Sequence, residues 1–353
     1  MAAPNSSLLG SLSVFHPVDE TTHIGTRFPD KTVQLSKILT AHNSDELVKD
    51  LATLVSHRCV VFFVDQDLTI DQQRELGNRL GELSGKPKTS TLHRHPISED
   101  TDELGRGLGA DISVISSMEL RFCCYLILHS SFRTCYASPV GDVSYQTSLG
   151  NGWHADITFE PVPSDYAILK MHTLPPTGGD TLWASGYEAY DRLSPAFKKF
   201  LEGLTAVHDG NFFIKYAKEH GLKVQDPRGS PENIGSDLTA VHPVVRTNPV
   251  TGFKSLFVNK AFTKHLIGLT QDESDHVLDY LYRHISENHD LQVRFKWSKN
   301  DIAIWDNRSA FHTATHDYEG LRQGNRVLSI GEKPFLDPQS KSRREALGLP
   351  TLQ

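Results

Sequence analysis

The spacing of apolar residues divides the chain into a helical first part and a strand-rich remainder. Over residues 43–55 apolar side chains recur at the spacing of one helix face, and Asn43 with Glu46 predicts a capping box at the start. Residues 59–64 form an apolar run of strand length, and residues 69–83 predict a second capped helix. This order predicts two helices that pack against a buried strand.

After Trp153 the pattern changes to short apolar runs separated by turns rich in proline and glycine. Two helical stretches interrupt them, one with Pro195 at its first position and one capped by Thr270 with Glu273. Many short strands with turn signals are typical of a β-sandwich or a jelly-roll barrel. The pattern therefore predicts a mainly β fold with flanking helices.

Composition narrows the class of protein. With 353 residues and 38% apolar content the chain can bury a large core, as one elaborated domain or two ordinary ones. A net charge of −7 without a block of basic residues argues against nucleic-acid binding. The chain start lacks the basic region of a signal peptide, and no apolar stretch approaches the roughly 18 residues of a membrane span. We therefore expect a cytoplasmic protein without a membrane or nucleic-acid partner.

The segment at about residues 118–142 differs from the rest of the chain. It is rich in cysteine, has few charges and follows neither a helical nor a strand period, which favours an irregular insertion over an active-site lid. The first residues, 1–14, and the tail, 336–353, are expected to be arms that lie over the core. A single domain over residues 15–335 would carry the function.

The sequence NGWHADITFE at residues 151–160 gives the first indication of chemistry. As a half-buried strand it places His154 and Asp156 on one face, because residues two apart in a strand point the same way. An imidazole and a carboxylate placed in this way can hold one metal ion, although so short a pattern also arises by chance. A mononuclear iron oxygenase needs one further imidazole.

Two histidines near the end of a later strand are candidates for that imidazole. The run at residues 301–306 alternates as a strand and leads through a polar turn to His312 and His316. The residues themselves do not choose between the two, and a lone histidine near a strand end is more often solvated or packed.

The same region supplies groups that could hold an organic acid. Arg322 and Arg326 lie four residues apart, and a guanidinium matches a carboxylate or a sulfonate with two parallel hydrogen bonds. Thr181 follows the Gly178–Gly179 turn and offers a hydroxyl for the same anion. Each of these residues also has an ordinary structural explanation, as a solvated arginine or a strand threonine.

Taken together, these pieces resemble a known family. The motifs WHADITFE, GGDTLWAS, HPVVRTNPVTG, LFVN, NDIAIWDNR, the histidine at 312, the arginine pair and GEKP follow one another as in the taurine dioxygenase family of iron(II)- and 2-oxoglutarate-dependent dioxygenases. The chain resembles this family over about residues 15–335, and within it the fungal sulfonate dioxygenases. The resemblance implies a double-stranded β-helix, or jelly roll, and the use of Fe(2+), 2-oxoglutarate and O2.

The resemblance also implies a role for each residue that matches a motif. The implied metal ligands and catalytic residues are His154, Asp156 and His312, which selects His312 as the second imidazole. The implied groups for the distal carboxylate of 2-oxoglutarate are Thr181 and Arg322.

Other matches concern the substrate. His95 and Arg326 match groups that bind the substrate anion, and Ile157, Phe159 and Phe262 match apolar walls of the pocket. The resemblance therefore implies an intact site for a small anion.

The amine end of that pocket departs from the family. A tyrosine and an asparagine that lie near the amine of taurine in relatives are replaced by Ser98 and Gly150, and Asn151 stands next to the second position. The acid-binding end is therefore expected to be kept and the amine-binding end lost.

The implied activity is hydroxylation of a small anionic substrate, in first place an alkanesulfonate or a sulfate ester. Sulfite or sulfate and an aldehyde would be released, with succinate and CO2. The main alternative is the same chemistry on another small carboxylic acid or a secondary-metabolite intermediate. A halogenase is disfavoured by the carboxylate at Asp156, and a non-catalytic metal-binding barrel is less favoured. Assembly into a homo-oligomer stays open.

Overall fold

The computed structural model describes residues 6–97, 107–117 and 152–350. Within these ranges the α-helices are α1 Ser6–Leu9, α2 Leu35–Thr40, α3 Ser44–Arg58, α4 Ile70–Leu83, α5 Gly186–Asp191, α6 Pro195–Glu202, α7 Asn211–His220, α8 Gln271–Ser286 and α9 Arg343–Ala346. The strands are β1 Val18–Asp19, β2 Thr26–Phe28, β3 Val60–Phe63, β4 Ser113–Ser116, β5 Ser164–Thr173, β6 Thr181–Ser185, β7 Thr205–Asp209, β8 Thr239–Pro243, β9 Val245–Thr247, β10 Lys254–Leu256, β11 Thr263–Ile267, β12 Gln292–Phe295, β13 Ile302–Asp306, β14 Ala310–Ala314 and β15 Gln323–Ile330. Short 3-10 helices cover Gly10–Phe15 and His289–Leu291.

The helices predicted from apolar spacing are present, and their caps explain where they begin. Helix α4 begins with a capping box between Thr69 and Gln72, and α8 begins with the predicted capping arrangement of Thr270 and Glu273. The box predicted at Asn43 is wrong. That residue has φ −107° and ψ 32° instead of the extended conformation of an N-cap. Its side-chain amide donates to the Glu46 carboxylate and does not accept from the helix backbone.

The described residues form four β-sheets. The largest has seven strands in the order β1-β2-β3-β13-β5-β15-β4, and among these strands β2 and β3 run parallel whereas the other neighbours are antiparallel. Two three-stranded antiparallel sheets, β12-β6-β14 and β11-β7-β8, and the β10-β9 pair complete the framework. The large sheet and β12-β6-β14 contribute to one apolar core, in which the Trp183 ring of β6 lies 5.3 Å from Phe62 and 5.8 Å from Trp305 of the large sheet. The observed architecture is thus a set of mixed and antiparallel sheets with flanking helices.

The central strands of the large sheet are buried on both faces. In β3, Val60 and Phe62 face the core shared with β6, whereas Val61 and Phe63 pack with the helices α3 and α4. A strand covered on both sides has no polar face, which is why residues 59–64 are continuously apolar. The strand β13 has the same alternation and leads directly to the polar turn before β14.

The segment around α9, in the described part of the chain after residue 335, packs against the body of the protein. Arg343 of α9 is buried and donates to the Glu188 carboxylate at 2.6 Å, and Arg344 lies 3.6 Å from the same carboxylate. The predicted insertion at 118–142 lies outside the described residues, as do Cys123, Cys124 and Cys135. Among the described residues no helix is long and apolar enough to cross a membrane.

Candidate metal centre

The backbone brings the first and last predicted ligands side by side. Strand β14 places His312 opposite Trp183 of β6, and on its other side His312 forms an isolated antiparallel bridge with His154. The amide of each histidine donates to the carbonyl of the other, at 3.0 and 2.8 Å, and the ring centroids are 4.2 Å apart. Two residues 158 positions apart in sequence are therefore fixed as direct neighbours.

The segment that follows His154 is a turn and not the predicted half-buried strand. Residues 156–159 lie in the turn, and Ile157 has a positive φ of 50°. A β-branched residue in this region costs on the order of 1–3 kcal/mol, so the surrounding structure must hold it. The turn replaces the strand because side chains from other elements, rather than a neighbouring strand, bind its backbone. One of them is Asn307, whose Oδ1 accepts from the Asp156 amide at 3.0 Å.

Three side chains converge where the turn meets β14. One ligand atom from each of His154, Asp156 and His312 lies within 4.8 Å of the other two. The His154 Nε2 is 3.8 Å from Asp156 Oδ1, and the His312 Nε2 is 3.9 Å from Asp156 Oδ2. His316 does not belong to this group. Two imidazoles and one carboxylate match the ligand set of mononuclear iron sites.

The hydrogen bonds of these side chains leave the His154 Nε2 and the Asp156 Oδ2 available for a metal ion. The Nδ1–H of His154 donates to the Gly152 carbonyl at 2.8 Å, which leaves the Nε2 lone pair facing Asp156. The Asp156 Oδ2 is buried without a hydrogen-bond partner among the described residues. A buried carboxylate oxygen without a donor is costly unless a cation satisfies it. The donor set and this orphaned oxygen fit a divalent metal ion.

The electrostatics keep the three groups in the forms that bind metal. Burial acts to raise the pKa of Asp156, but the Arg326 guanidinium, followed by His312 and His154, outweighs it and lowers this pKa. Burial lowers the pKa of His312 to about 3 and also lowers the pKa of His154. The site therefore presents an ionised carboxylate and two neutral imidazoles near neutral pH.

A second buried cation lies at the start of β15. Arg322 is 2% exposed, and its guanidinium donates to the Gly179 carbonyl at 2.7 Å and to the Thr181 hydroxyl at 3.2 Å. The indole of Trp297 also donates to Thr181, at 3.0 Å. Gly179 has φ +71°, and a Cβ there would lie 2.9 Å from the Arg322 Cδ, so glycine is required for this approach. The structure thus brings Arg322 into contact with Thr181, and the groups that accept from its guanidinium are neutral.

Arg326, on the same strand β15, contacts the ligand group instead. Its Nη1 donates to Asp156 Oδ1 at 2.6 Å, while its Nε is buried without a partner among the described residues. Burial and the charge of Arg326 lower the pKa of His95 to about 4, so a neutral imidazole stands within electrostatic reach of this guanidinium. His95 also meets the Phe213 ring edge-on at 4.9 Å.

Apolar rings cover the remaining side of the centre. Phe159 and Phe262 lie 5.1 Å apart, and the Phe262 ring is 6.2 Å from that of His154. Ile157 belongs to the same buried cluster. Helix α7 adds Phe212 and Phe213, which sequence reasoning missed. The apolar FFI run after residue 211 was the available signal, but nothing in the sequence places this helix beside residue 159.

Ser98, Gly150 and Asn151, which bear on the amine end of the pocket, lie outside the described residues. Sequence reasoning also missed the polar residues behind the turn, Asn307, His208 and His242, because no local pattern links them to residues 156–160.

Comparison with known proteins agrees with this geometry. The family model described as "Taurine catabolism dioxygenase TauD, TfdA family" matches residues 18–329. An alpha-ketoglutarate-dependent dioxygenase of Neocamarosporium betae is 45% identical, with 96% of each chain covered. An alpha-ketoglutarate-dependent sulfonate dioxygenase of Saccharomyces cerevisiae is 30% identical over 88% of this chain and 67% of its own length. The solved structure of a taurine dioxygenase from Burkholderia xenovorans is 27% identical, with a TM-score of 0.63 over 92% of this chain and 91% of that one. The chain belongs to the taurine dioxygenase (TauD, TfdA) family of alpha-ketoglutarate-dependent dioxygenases, whose cofactor is iron(II) and whose cosubstrates are 2-oxoglutarate and O2.

Proposed function

We propose that this dioxygenase hydroxylates a small anionic substrate, in first place an alkanesulfonate or a sulfate ester. The observation that carries the proposal is the position of Arg326. Its guanidinium contacts Asp156 at 2.6 Å and shares its surroundings with His95, so an anion bound there would lie next to the ligand triad. Arg322 supplies a second, separate cation for the cosubstrate. The relative from S. cerevisiae is named a sulfonate dioxygenase, which agrees with this choice.

The fold that supports this chemistry is inferred to be a double-stranded β-helix. The large sheet and β12-β6-β14 enclose one apolar core, and nearly all neighbouring strands are antiparallel. Two antiparallel sheets that face each other are the arrangement of a jelly roll. His312 and Thr181 on the smaller sheet and Arg326 on the larger one then project from the two sheets toward a common mouth.

His154, Asp156 and His312 would hold iron(II) through two imidazole nitrogens and a carboxylate oxygen. When bound, the metal supplies activation of O2 coupled to oxidative decarboxylation of 2-oxoglutarate. The chain's own part is to fix the ligands: the His154–His312 bridge sets the two imidazoles, and Asn307 sets the backbone at Asp156. Phe262 and Phe159 lie on one side of this region and would limit the access of water from there.

Arg322 and Thr181 would bind the distal carboxylate of 2-oxoglutarate. The Gly179 carbonyl and the Thr181 hydroxyl, which accept from the Arg322 guanidinium, are neutral groups, so an incoming carboxylate would be its ionic partner in a buried site. Trp297 holds the Thr181 hydroxyl so that this oxygen can still donate its own proton to the acid.

His95 and Arg326 would bind the substrate anion, while Ile157, Phe159 and Phe262 would contact its carbon chain. In the overall reaction one oxygen atom enters succinate and the other replaces a substrate C–H by C–OH, with loss of CO2. For an alkanesulfonate hydroxylated at the carbon that bears sulfur, the C–S bond then breaks and gives an aldehyde and sulfite. For a sulfate ester the corresponding products are an aldehyde and sulfate.

A second candidate is the same chemistry on a larger carboxylic acid or secondary-metabolite intermediate. The observation that favours it is the extent of the aromatic wall, in which Phe212 and Phe213 extend the surface formed by Phe159 and Phe262. Such a wall can bury a substrate body larger than a short alkyl chain.

The deciding experiment is a substrate screen with the purified protein. Iron(II), 2-oxoglutarate and O2 are supplied with straight-chain sulfonates, sulfate esters, taurine and matched carboxylic acids, and succinate is measured with sulfite or sulfate. We expect simple sulfonates or sulfate esters to give substrate-dependent succinate and to outperform taurine. Succinate that responds only to carboxylic acids would favour the second candidate.

A further inference from the structure

The turn that carries Asp156 is held from behind by two buried histidines. His242 of β8 is 1% exposed, and its Nε2–H donates to two backbone carbonyls, those of Thr158 at 2.9 Å and Glu160 at 3.0 Å. His208 of β7 is fully buried, and its Nδ1 shares a hydrogen bond with the Thr158 hydroxyl at 2.9 Å. The two strands pair with each other, so both imidazoles come from one rigid element.

These contacts lie opposite the one made by Asn307. Asn307 accepts from the amide of Asp156 on the β13–β14 side, whereas the histidines hold the next residues on the β7–β8 side. Between the two sets of contacts lies Ile157, with its positive φ of 50°. A backbone conformation that its own residue disfavours persists only where its surroundings fix it from more than one direction.

The contacts of His242 require its Nε2 to be a hydrogen-bond donor. Both partners of His242 Nε2 are carbonyl oxygens, so this nitrogen carries the proton, and the opposite Nδ1 has no partner among the described residues. Asn259 adds a further contact by donating to the Thr158 hydroxyl at 3.1 Å. None of these side chains belongs to the ligand triad.

We propose that His242 and His208 are positioning residues that orient the Asp156 carboxylate and the Phe159 ring, because they clamp the turn from the β7–β8 side while Asn307 holds it from the β13–β14 side. The proposal rests on the metal-binding role given to Asp156 above. Residues that orient a ligand from behind typically change metal affinity by tenfold to a hundredfold when they are lost.

The test is the affinity of the purified protein for Mn(II) alone, measured from the electron paramagnetic resonance signal of the free ion. His242→Phe keeps a ring but removes the donor, and we expect it to weaken Mn(II) binding by roughly tenfold or more. His242→Gln keeps an N–H donor near the same place and is expected to stay within about threefold of the wild type. A merely structural role would not be restored by the glutamine in this way.

A second variant makes the test independent of the fate of His242→Phe. Thr158→Val keeps the side-chain volume and removes the hydroxyl that His208 and Asn259 bind, and it is also expected to weaken Mn(II) binding. The matched control is His284→Phe, because the His284 Nε2 likewise donates to a carbonyl, but to that of Ala189 in α5. The control should bind Mn(II) as the wild type does.

The outcomes separate this inference from the proposed function. If Asp156→Ala leaves Mn(II) binding unchanged, the proposed metal site itself is wrong. If Asp156→Ala abolishes binding while Thr158→Val and a folded His242→Phe bind as tightly as the wild type, only the clamp is overturned.

Discussion

At the scale of single residues, the two carboxylate oxygens of Asp156 have different surroundings. Its Oδ1 accepts from Arg326, and its Oδ2 has no hydrogen-bond partner among the described residues. The carboxylate can therefore face a metal ion and the guanidinium of Arg326, the proposed substrate-binding cation, at once. Through Asp156 the ligand group therefore lies next to the proposed anion site.

Removing one triad residue should abolish metal binding. With iron(II) and 2-oxoglutarate added anaerobically, we expect a weak visible charge-transfer band that is lost in Asp156→Ala and in His312→Ala. The matched control is His316→Ala, because His316 is close in sequence but not part of the ligand group. A band that survives His312→Ala and disappears in His316→Ala would contradict the assignment of the third ligand.

The two arginines should separate cosubstrate from substrate. Loss of a charge-assisted hydrogen bond costs about 1.5–3 kcal/mol, roughly tenfold to a hundredfold in an equilibrium constant. Arg322→Ala should therefore raise the KM for 2-oxoglutarate by that factor, because Arg322 contacts the Thr181 side of the site. Arg326→Ala should instead raise the KM for the sulfonate. Equal effects of both changes on both KM values would show that the arginines do not bind separate anions.

Elements differ in how far the sequence reveals them. The helices α3, α4 and α8 and the strand β3 follow from apolar spacing, because each buries a regular face or both faces. The turn at 156–159 could not be predicted, since its shape depends on Asn307, which is 151 residues away from Asp156. Local periodicity carries no signal for such a contact.

The candidate site was predictable only through the order of its motifs. Spacing alone left His312 and His316 equivalent, and the structure separates them because only His312 lies on the part of β14 that bridges to His154. The phenylalanines of α7 were missed for a related reason. Helix α7 reaches residue 159 through a tertiary contact that begins at Gly210, the residue before the helix.

Gly210 gives a prediction about how α7 meets the pocket. A Cβ at this position would lie 2.5 Å from the Phe159 ring, although the backbone itself would accept alanine. Gly210→Ala should therefore displace Phe159 and raise the substrate KM, while the anaerobic charge-transfer band is kept. Gly203→Ala is the matched control, since a Cβ there meets only the Phe200 carbonyl at an ordinary 3.6 Å. An unchanged KM in Gly210→Ala would show that the substrate does not contact Phe159.

At the scale of the whole molecule, buried histidines tie stability to pH. His93, His208 and His242 are 3%, 0% and 1% exposed. Burial lowers the pKa of all three, with a further contribution from a neighbouring histidine for His93 and His208 and from Arg246 for His242, whose pKa falls to about 4. In the unfolded chain each would titrate near its ordinary value of about 6.5. As pH falls below that value, these histidines bind protons in the unfolded state but not in the folded state, so the free energy of unfolding decreases.

The sign and size of this effect are testable in urea unfolding between pH 7.5 and 4. The free energy of unfolding should be nearly constant above pH 7 and fall below about 6.5, with His242 alone contributing on the order of 3 kcal/mol by pH 4.

Buried Glu160 and Asp165 have raised pKa values and act in the opposite direction, because they take up protons more readily when folded. Their effect is common to wild type and variant, so the comparison with His242→Gln isolates the histidine. That variant keeps a donor but cannot titrate. Between about pH 6.5 and 4 its free energy of unfolding should therefore fall by up to about 1.4 kcal/mol per pH unit less than that of the wild type. Identical pH profiles for both proteins would contradict the lowered pKa of His242, because this histidine would then take up its proton in the folded protein as readily as in the unfolded chain.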